Sequence, residues 1–160
     1  PIGSTLSSSL YVLSYLSFPQ PLKPVLPLKT YLVEDSPVIR DSLIATLEEL
    51  APVRVVGTAE DEATAVKWLT QADNQYDLVI VDIFLKSGSG LGVLSAVKAL
   101  AQRHTLVVLS NYATKDIRRK CLELGADRVF DKSDEIDALI LYCNQLALGE
   151  AGNSGPAQLT

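Results

Sequence analysis

The 160-residue chain is 48% hydrophobic and 21% charged, enough to bury the core of one domain and too apolar for disorder throughout. A net charge of −5, with Arg118-Arg119-Lys120 as the only basic cluster, argues against duplex nucleic acid as a direct ligand, because phosphate contacts need clustered cations. That cluster reads as a solvated helix face. The single histidine, His104, sets aside a histidine triad or a His-rich metal site and reads as a loop residue ahead of a strand. Cys121 and Cys143 lack CxxC spacing and read as reduced thiols of a cytosolic core, which makes the expected location cytoplasmic. No apolar run is long enough for a membrane span; even residues 10–18 carry Ser14 and Ser17.

Residues 1–27 read as an extension: Ser-rich at first, then the apolar patch 10–18, then a proline-spaced stretch that should run extended because each Pro fixes its own φ. From residue 28 to 148, short apolar runs alternate with amphipathic segments, the pattern of a parallel sheet covered on both faces. Strands are predicted over 29–33, 53–59, 78–81, 106–110 and 128–130. The first helix starts at Ser36-Pro37, a capping hydroxyl followed by a helix-compatible Pro, and ends near Leu50, with Val38, Leu43, Ile44 and Leu47 as its inner face. The second is predicted over 60–71, its acidic opening Glu60-Asp61-Glu62 suiting the positive end of the helix dipole. The third is predicted over 90–102, the fourth over 114–124 with Gly125 as a stop, and the fifth over 134–148. Residues 149–160, rich in Gly, Ser, Pro and Ala, read as a flexible tail.

Four sets of polar residues stand at the ends of predicted strands: Glu34-Asp35 after Val33, Asp82 after Val81, Ser110 after Leu109, and Lys132 just past Phe130. Parallel strands place their carboxyl ends side by side, so these groups should converge in one crevice.

The order of Val33-Glu34-Asp35-Ser36, Val81-Asp82 with Gly90 downstream, Leu109-Ser110, Gly125-Ala126-Asp127 and Phe130-Asp131-Lys132-Ser133 resembles the receiver domain of two-component response regulators, apparently a stand-alone receiver. The resemblance implies a flavodoxin-like (βα)5 fold, α/β with a five-stranded parallel sheet of order 2-1-3-4-5. It implies that Asp82 accepts a phosphoryl group and that Asp35 and Asp82 hold Mg2+ or another divalent cation. The Phe84 backbone carbonyl joins them, and Glu34 acts mainly through water. Lys132 supplies the fixed positive charge and Ser110 a hydroxyl for a phosphoryl oxygen. The implied partners are a histidine kinase or histidine phosphotransfer protein upstream and an unknown protein downstream, or self-association as a homodimer. No enzyme activity beyond slow self-dephosphorylation is implied.

The chain departs from that pattern in several places. Receivers commonly carry an aromatic residue three positions before the lysine, where Val129 stands here, and Phe130 should point to the opposite face of the sheet. Tyr112 could take over part of that role. Lys86 replaces a common Pro, and Ser87-Gly88-Ser89-Gly90 reads as a permissive loop able to close over the site. Phe84 and Tyr112, with Asn111 beside them, should flank the entrance and restrict water, which implies a slowly decaying aspartyl phosphate. A competing reading is a pseudo-receiver that binds or dimerises without efficient switching. Another is a phosphatase with Asp82 as nucleophile, disfavoured because Phe84 sits where the second Asp of a DxD motif belongs.

Overall fold

The computed structural model describes residues 25–149, so the apolar patch 10–18 and the tail beyond 149 lie outside the described residues. Five strands alternate with five helices: β1 (Leu28–Val33), α1 (Pro37–Leu50), β2 (Val53–Ala59), α2 (Glu62–Leu69), β3 (Leu78–Val81), α3 (Gly90–Lys98), β4 (Thr105–Ser110), α4 (Lys115–Glu123), β5 (Arg128–Asp131) and α5 (Ile136–Ala147). All neighbouring strands pair in parallel, in the order β2-β1-β3-β4-β5. This is the flavodoxin-like fold expected from the sequence.

The sheet is buried on both faces, which is why β3 and the inner stretches 31–33 of β1 and 106–109 of β4 are continuous apolar runs instead of alternating. Side-chain alternation splits them between two cores. On one face Tyr31, Val33, Val79, Val81, Val108 and Val129 meet Leu69, Val93, Leu94 and Cys121 from α2, α3 and α4. On the other, Leu32, Leu78, Ile80, Leu109 and Phe130 meet Leu43, Leu47, Leu139 and Cys143 from α1 and α5. Val129 and Phe130 therefore do face opposite ways, and both cysteines are buried free thiols as read.

Helix phases and lengths differ from expectation in four places, one being the fifth helix, which starts at Ile136 behind Glu135 as N-cap instead of at 134. Val38 is 79% exposed, and Ile39 packs inward instead. With Ser36 capping the Ile39 N–H and Pro37 opening the helix, the inward row becomes Ile39, Leu43 and Leu47, four residues apart. The second helix is shorter than 60–71, because Asp61 is its N-cap, accepting from the Thr64 N–H at 2.7 Å, and Glu60 is left outside. The third stops at Lys98 instead of 102, where Leu100 N–H bonds to Val97 C=O at 3.1 Å in a tightened last turn. The fourth ends as read: Gly125 has φ 105°, its N–H bonds to Leu122 C=O, and Ala126 N–H bonds to Cys121 C=O. That is a Schellman ending.

One glycine sets the position of the strand-end carboxylate. A Cβ on Gly90 would lie 2.1 Å from the Asp82 carbonyl oxygen and 2.8 Å from Ile83 Cα, so only glycine lets the start of α3 rest on the backbone that follows β3. Because the obstacle is backbone, Gly90→Ala is expected to destabilise the protein by about 1–3 kcal/mol in urea unfolding. A loss too small to resolve would contradict the packing described.

Candidate functional site

The register of the sheet assembles the crevice. Val33, Val81 and Val108 are aligned across β1, β3 and β4, and Ser110 is level with Asp131. Backbone bonds carry the ladders past the strand ends: Glu34 N–H to Ala59 C=O at 2.9 Å, Asp82 N–H to Val33 C=O at 3.0 Å, and Lys132 N–H to Ser110 C=O at 2.9 Å. The predicted polar groups thus leave the sheet from fixed backbone. Glu34, Asp82 and Ser110 are buried, and Asp35 is half-buried beside them.

Lys132 lies at the centre. Its ammonium donates to Asp82 Oδ2 at 2.8 Å and also to Glu34 Oε1. The second Glu34 oxygen accepts the Ser36 N–H at 3.1 Å, and Asp82 Oδ1 accepts the Phe84 N–H at 3.4 Å. Oxygens of Glu34, Asp35 and Asp82 lie within 4.8 Å of one another. Three carboxylates thus face a single ammonium. Hard oxygen donors with surplus negative charge suit a small divalent cation, which binds through one or two carboxylates and keeps several waters.

The pKa values reflect this imbalance. Burial pushes the Glu34 carboxyl up, but bonds from Lys132 and the Ser36 N–H more than offset it, and the net value falls below the ordinary one. Asp35 goes the other way: burial, the bond shared with Glu34 and the charges of Glu34 and Asp82 all raise it. Lys132 loses by burial and gains more from Asp82 and Glu34, ending raised. Burial and the crowding of the acids therefore leave Asp35 with a raised pKa.

Ser110, fully buried on the neighbouring strand, accepts the Tyr112 N–H at 3.1 Å. Phe84 and Tyr112 form an edge-to-face pair, ring centroids 4.9 Å apart, with each about half exposed. Asn111 is also exposed, and its side-chain oxygen accepts from the Ser133 hydroxyl at 3.4 Å.

The loop after Asp82 is not the permissive segment that its glycines imply. Glu62 holds it from α2: its N–H bonds to Ser87 C=O at 3.1 Å, and its carboxylate accepts the Ser89 N–H at 2.8 Å. Glu62 also fills the space that Cβ atoms on Gly88 and Gly92 would need. Phe84 and Ser89 form an isolated bridge, and Lys86 lies 3.7 Å from Glu60. Gly88, at φ 75°, and Gly92 in α3 permit this close approach of Glu62, while Gly90 meets the Asp82 backbone. Nothing in a one-dimensional pattern marks an acidic first-turn residue for that task.

One member of the basic cluster is not on a solvated face. Arg119 and Lys120 are solvated as expected, but Arg118 is half-buried and pairs with Glu135, the N-cap residue of α5. His104, read as a loop residue, stacks on Tyr76 with centroids 3.9 Å apart, and its Nδ1 lies 3.0 Å from the Tyr76 carbonyl.

The profile of the family described as "Response regulator receiver domain" matches residues 30–144. The chain belongs to that family. Receivers are phosphoacceptors in two-component signalling, generally not enzymes, and typically bind Mg2+ at an acidic cluster such as the one here. This receiver is 30% identical to the sensory transduction protein LytR of Staphylococcus haemolyticus over 120 residues, 74% of the chain and 45% of LytR. Among solved structures, it resembles the receiver domain of Francisella response regulator 1452, with TM-score 0.67 at 21% identity over 76% of this chain and 98% of that one. It also resembles the phosphorylated cyanobacterial phytochrome response regulator RcpA, with TM-score 0.60 at 25% identity over 75% and 91%. The chain spans a quarter to about half the length of the first three curated relatives that it matches.

Two substitutions at this site should act in opposite directions. In metal-free protein, Asp35→Asn is expected to raise stability at pH 7 by at most about 1 kcal/mol, since water screens a half-exposed carboxylate. Because the folded pKa of Asp35 is raised, that gain should fade as pH falls towards its ordinary value of 3.8. Lys132→Met strands buried carboxylates and should cost about 3–5 kcal/mol at pH 7. Because the folded pKa of Glu34 is depressed, its contribution is present above 4.5 and lost as pH falls below, so the Lys132→Met penalty should shrink in acid. Chemical denaturation from pH 3 to 8 checks both; equal penalties for the Lys132 variant at pH 3 and 7 would contradict the assignment.

Proposed function

We propose that this receiver takes a phosphoryl group on Asp82 from a phosphohistidine of a histidine kinase or phosphotransfer protein, and that the phosphoryl state changes its affinity for a protein partner or for a second copy. What supports this most is the position of the Lys132 ammonium, 2.8 Å from Asp82 Oδ2 inside a cluster of three carboxylates. An Asp82 oxygen would attack phosphorus as the P–N bond to the donor imidazole breaks, leaving an acyl phosphate and a histidine that recovers a proton. Lys132 would then pair with a phosphoryl oxygen, and the Ser110 hydroxyl would turn from the Tyr112 N–H to donate to another. Asp35, Asp82 and the Phe84 carbonyl would hold Mg2+, with Glu34 acting through water. The ion supplies charge neutralisation for an anionic donor approaching an anionic acceptor.

The proposed receiver unit is residues 28–148. Among the described residues no helix is long and apolar enough to cross a membrane, and we place the protein in the cytoplasm with its phosphodonor. The Phe84–Tyr112 pair beside the entrance would restrict the water that hydrolyses the acyl phosphate, giving a slow decay.

Incubation with Mg2+ and acetyl phosphate followed by intact mass tests this reading. One phosphoryl adduct is expected on the parent and none on Asp82→Asn. The adduct should persist for minutes after donor removal and decay faster in Phe84→Ala and Tyr112→Ala. No adduct on the parent would favour a pseudo-receiver, an equal adduct on Asp82→Asn would move the acceptor elsewhere, and loss within seconds would sink the slow decay.

A further inference from the structure

Arg118 joins three segments that surround the far side of the crevice. Its Nε donates to Ala113 C=O at 2.9 Å in the loop between β4 and α4, and its Nη1 donates to Val129 C=O at 2.9 Å in β5. Its Nη2 donates to the Glu135 carboxylate at the start of α5. The same Glu135 oxygen accepts the Asp131 N–H at 2.9 Å, while Glu135 N–H returns to Asp131 C=O at 2.8 Å. Asp131 immediately precedes Lys132. At the other end, Ala113 stands three residues beyond Ser110, whose hydroxyl holds the Tyr112 N–H. A connected path thus runs from Ser110 through the loop to Arg118, on to Glu135, and back to Lys132.

We propose that Arg118 is the positioning residue that couples the state of the Asp82 site to the surface formed by α4, β5 and α5. This rests on the phosphoacceptor reading above. A guanidinium is a rigid planar fork, so three acceptors on three segments can all be satisfied in only one relative arrangement of those segments. If Ser110 turns towards a phosphoryl oxygen, it releases the Tyr112 N–H and frees the loop that carries the Ala113 carbonyl. If Lys132 shifts with the phosphoryl group, Asp131 moves, and with it one of the two donors to Glu135. Either displacement breaks the fork.

The side chain of Val129 has no polar atom with which to relay such a change. Its carbonyl, held by Arg118, connects β5 to the path. The ion pair is about one-third exposed on both sides, so water can replace it at low cost. A contact of that kind suits a switch better than a brace. Glu135 is also held ionised at neutral pH: burial raises its pKa, but Arg118 and the Asp131 N–H lower it further.

Amide hydrogen exchange with and without Mg2+ and beryllium fluoride, on the full chain and on Arg118→Gln, Glu135→Gln and Arg118→Lys, separates coupling from binding. In the parent, the mimic should change exchange about fivefold or more both at 82–90 and across 113–123 and 128–147. In Arg118→Gln and Glu135→Gln the change at 82–90 should persist, while that across 113–147 falls below half of the parent's. Arg118→Lys, which keeps the charge and loses the fork, should fall between and covers the case in which the neutral variants fold poorly. Undiminished transmission in all three variants would overturn the proposal, as would a parent that responds only at 82–90. A parent that does not respond at 82–90 has not bound the mimic, and then the phosphoacceptor reading fails and takes this coupling with it.

Discussion

The site depends on one ammonium set among three carboxylates. Lys132 bonds to Asp82 and Glu34, both buried, while Asp35 beside them has no bond from it. Bringing like charges together out of water is costly, and one cation does not cancel three anions. Burial raises the carboxyl pKa of both Glu34 and Asp35; bonds from Lys132 and the Ser36 N–H more than offset it at Glu34, while at Asp35 the neighbouring acids add to it. Hard carboxylate oxygens with surplus negative charge suit a small divalent cation.

The rest of the fold keeps those charges from moving apart. Glu34, Asp82 and Lys132 each leave a strand end whose backbone is still hydrogen-bonded to its neighbour, so relief by local fraying would sacrifice sheet bonds as well. Gly90 lets α3 press on the Asp82 backbone, and Glu62 fastens the following loop to α2. The groups that can turn without breaking the sheet are side-chain ends: the Ser110 hydroxyl, bonded to the Tyr112 N–H, and the exposed Phe84–Tyr112 pair. Small rotations at a rigid site produce large effects only where they release a contact spanning several segments, and Arg118 holds one such contact.

Strand positions and the site cluster were legible in the sequence because both follow from short-range rules. Buried parallel strands are continuous apolar runs, and a polar residue ending such a run must sit at the sheet's edge, so Asp82, Ser110 and Lys132 could be placed together before any coordinates. Helix phase was less legible. Val38 and Ile39 are adjacent and both apolar, and the cap geometry at Ser36, not hydrophobicity, decides which one turns inward. Least legible were side chains whose partners are distant in sequence. Glu62 looked like a dipole residue and Arg118 like part of a solvated basic face, because nothing local reveals that Ser89 or Glu135 will be waiting across the fold.

Calorimetric titration of Mg2+ into the metal-free protein at pH 7 tests the charge imbalance most directly. One saturable site is expected, weakened severely in both Asp35→Asn and Asp82→Asn. Absence of saturable binding in the parent, or binding unchanged in both variants, would contradict it.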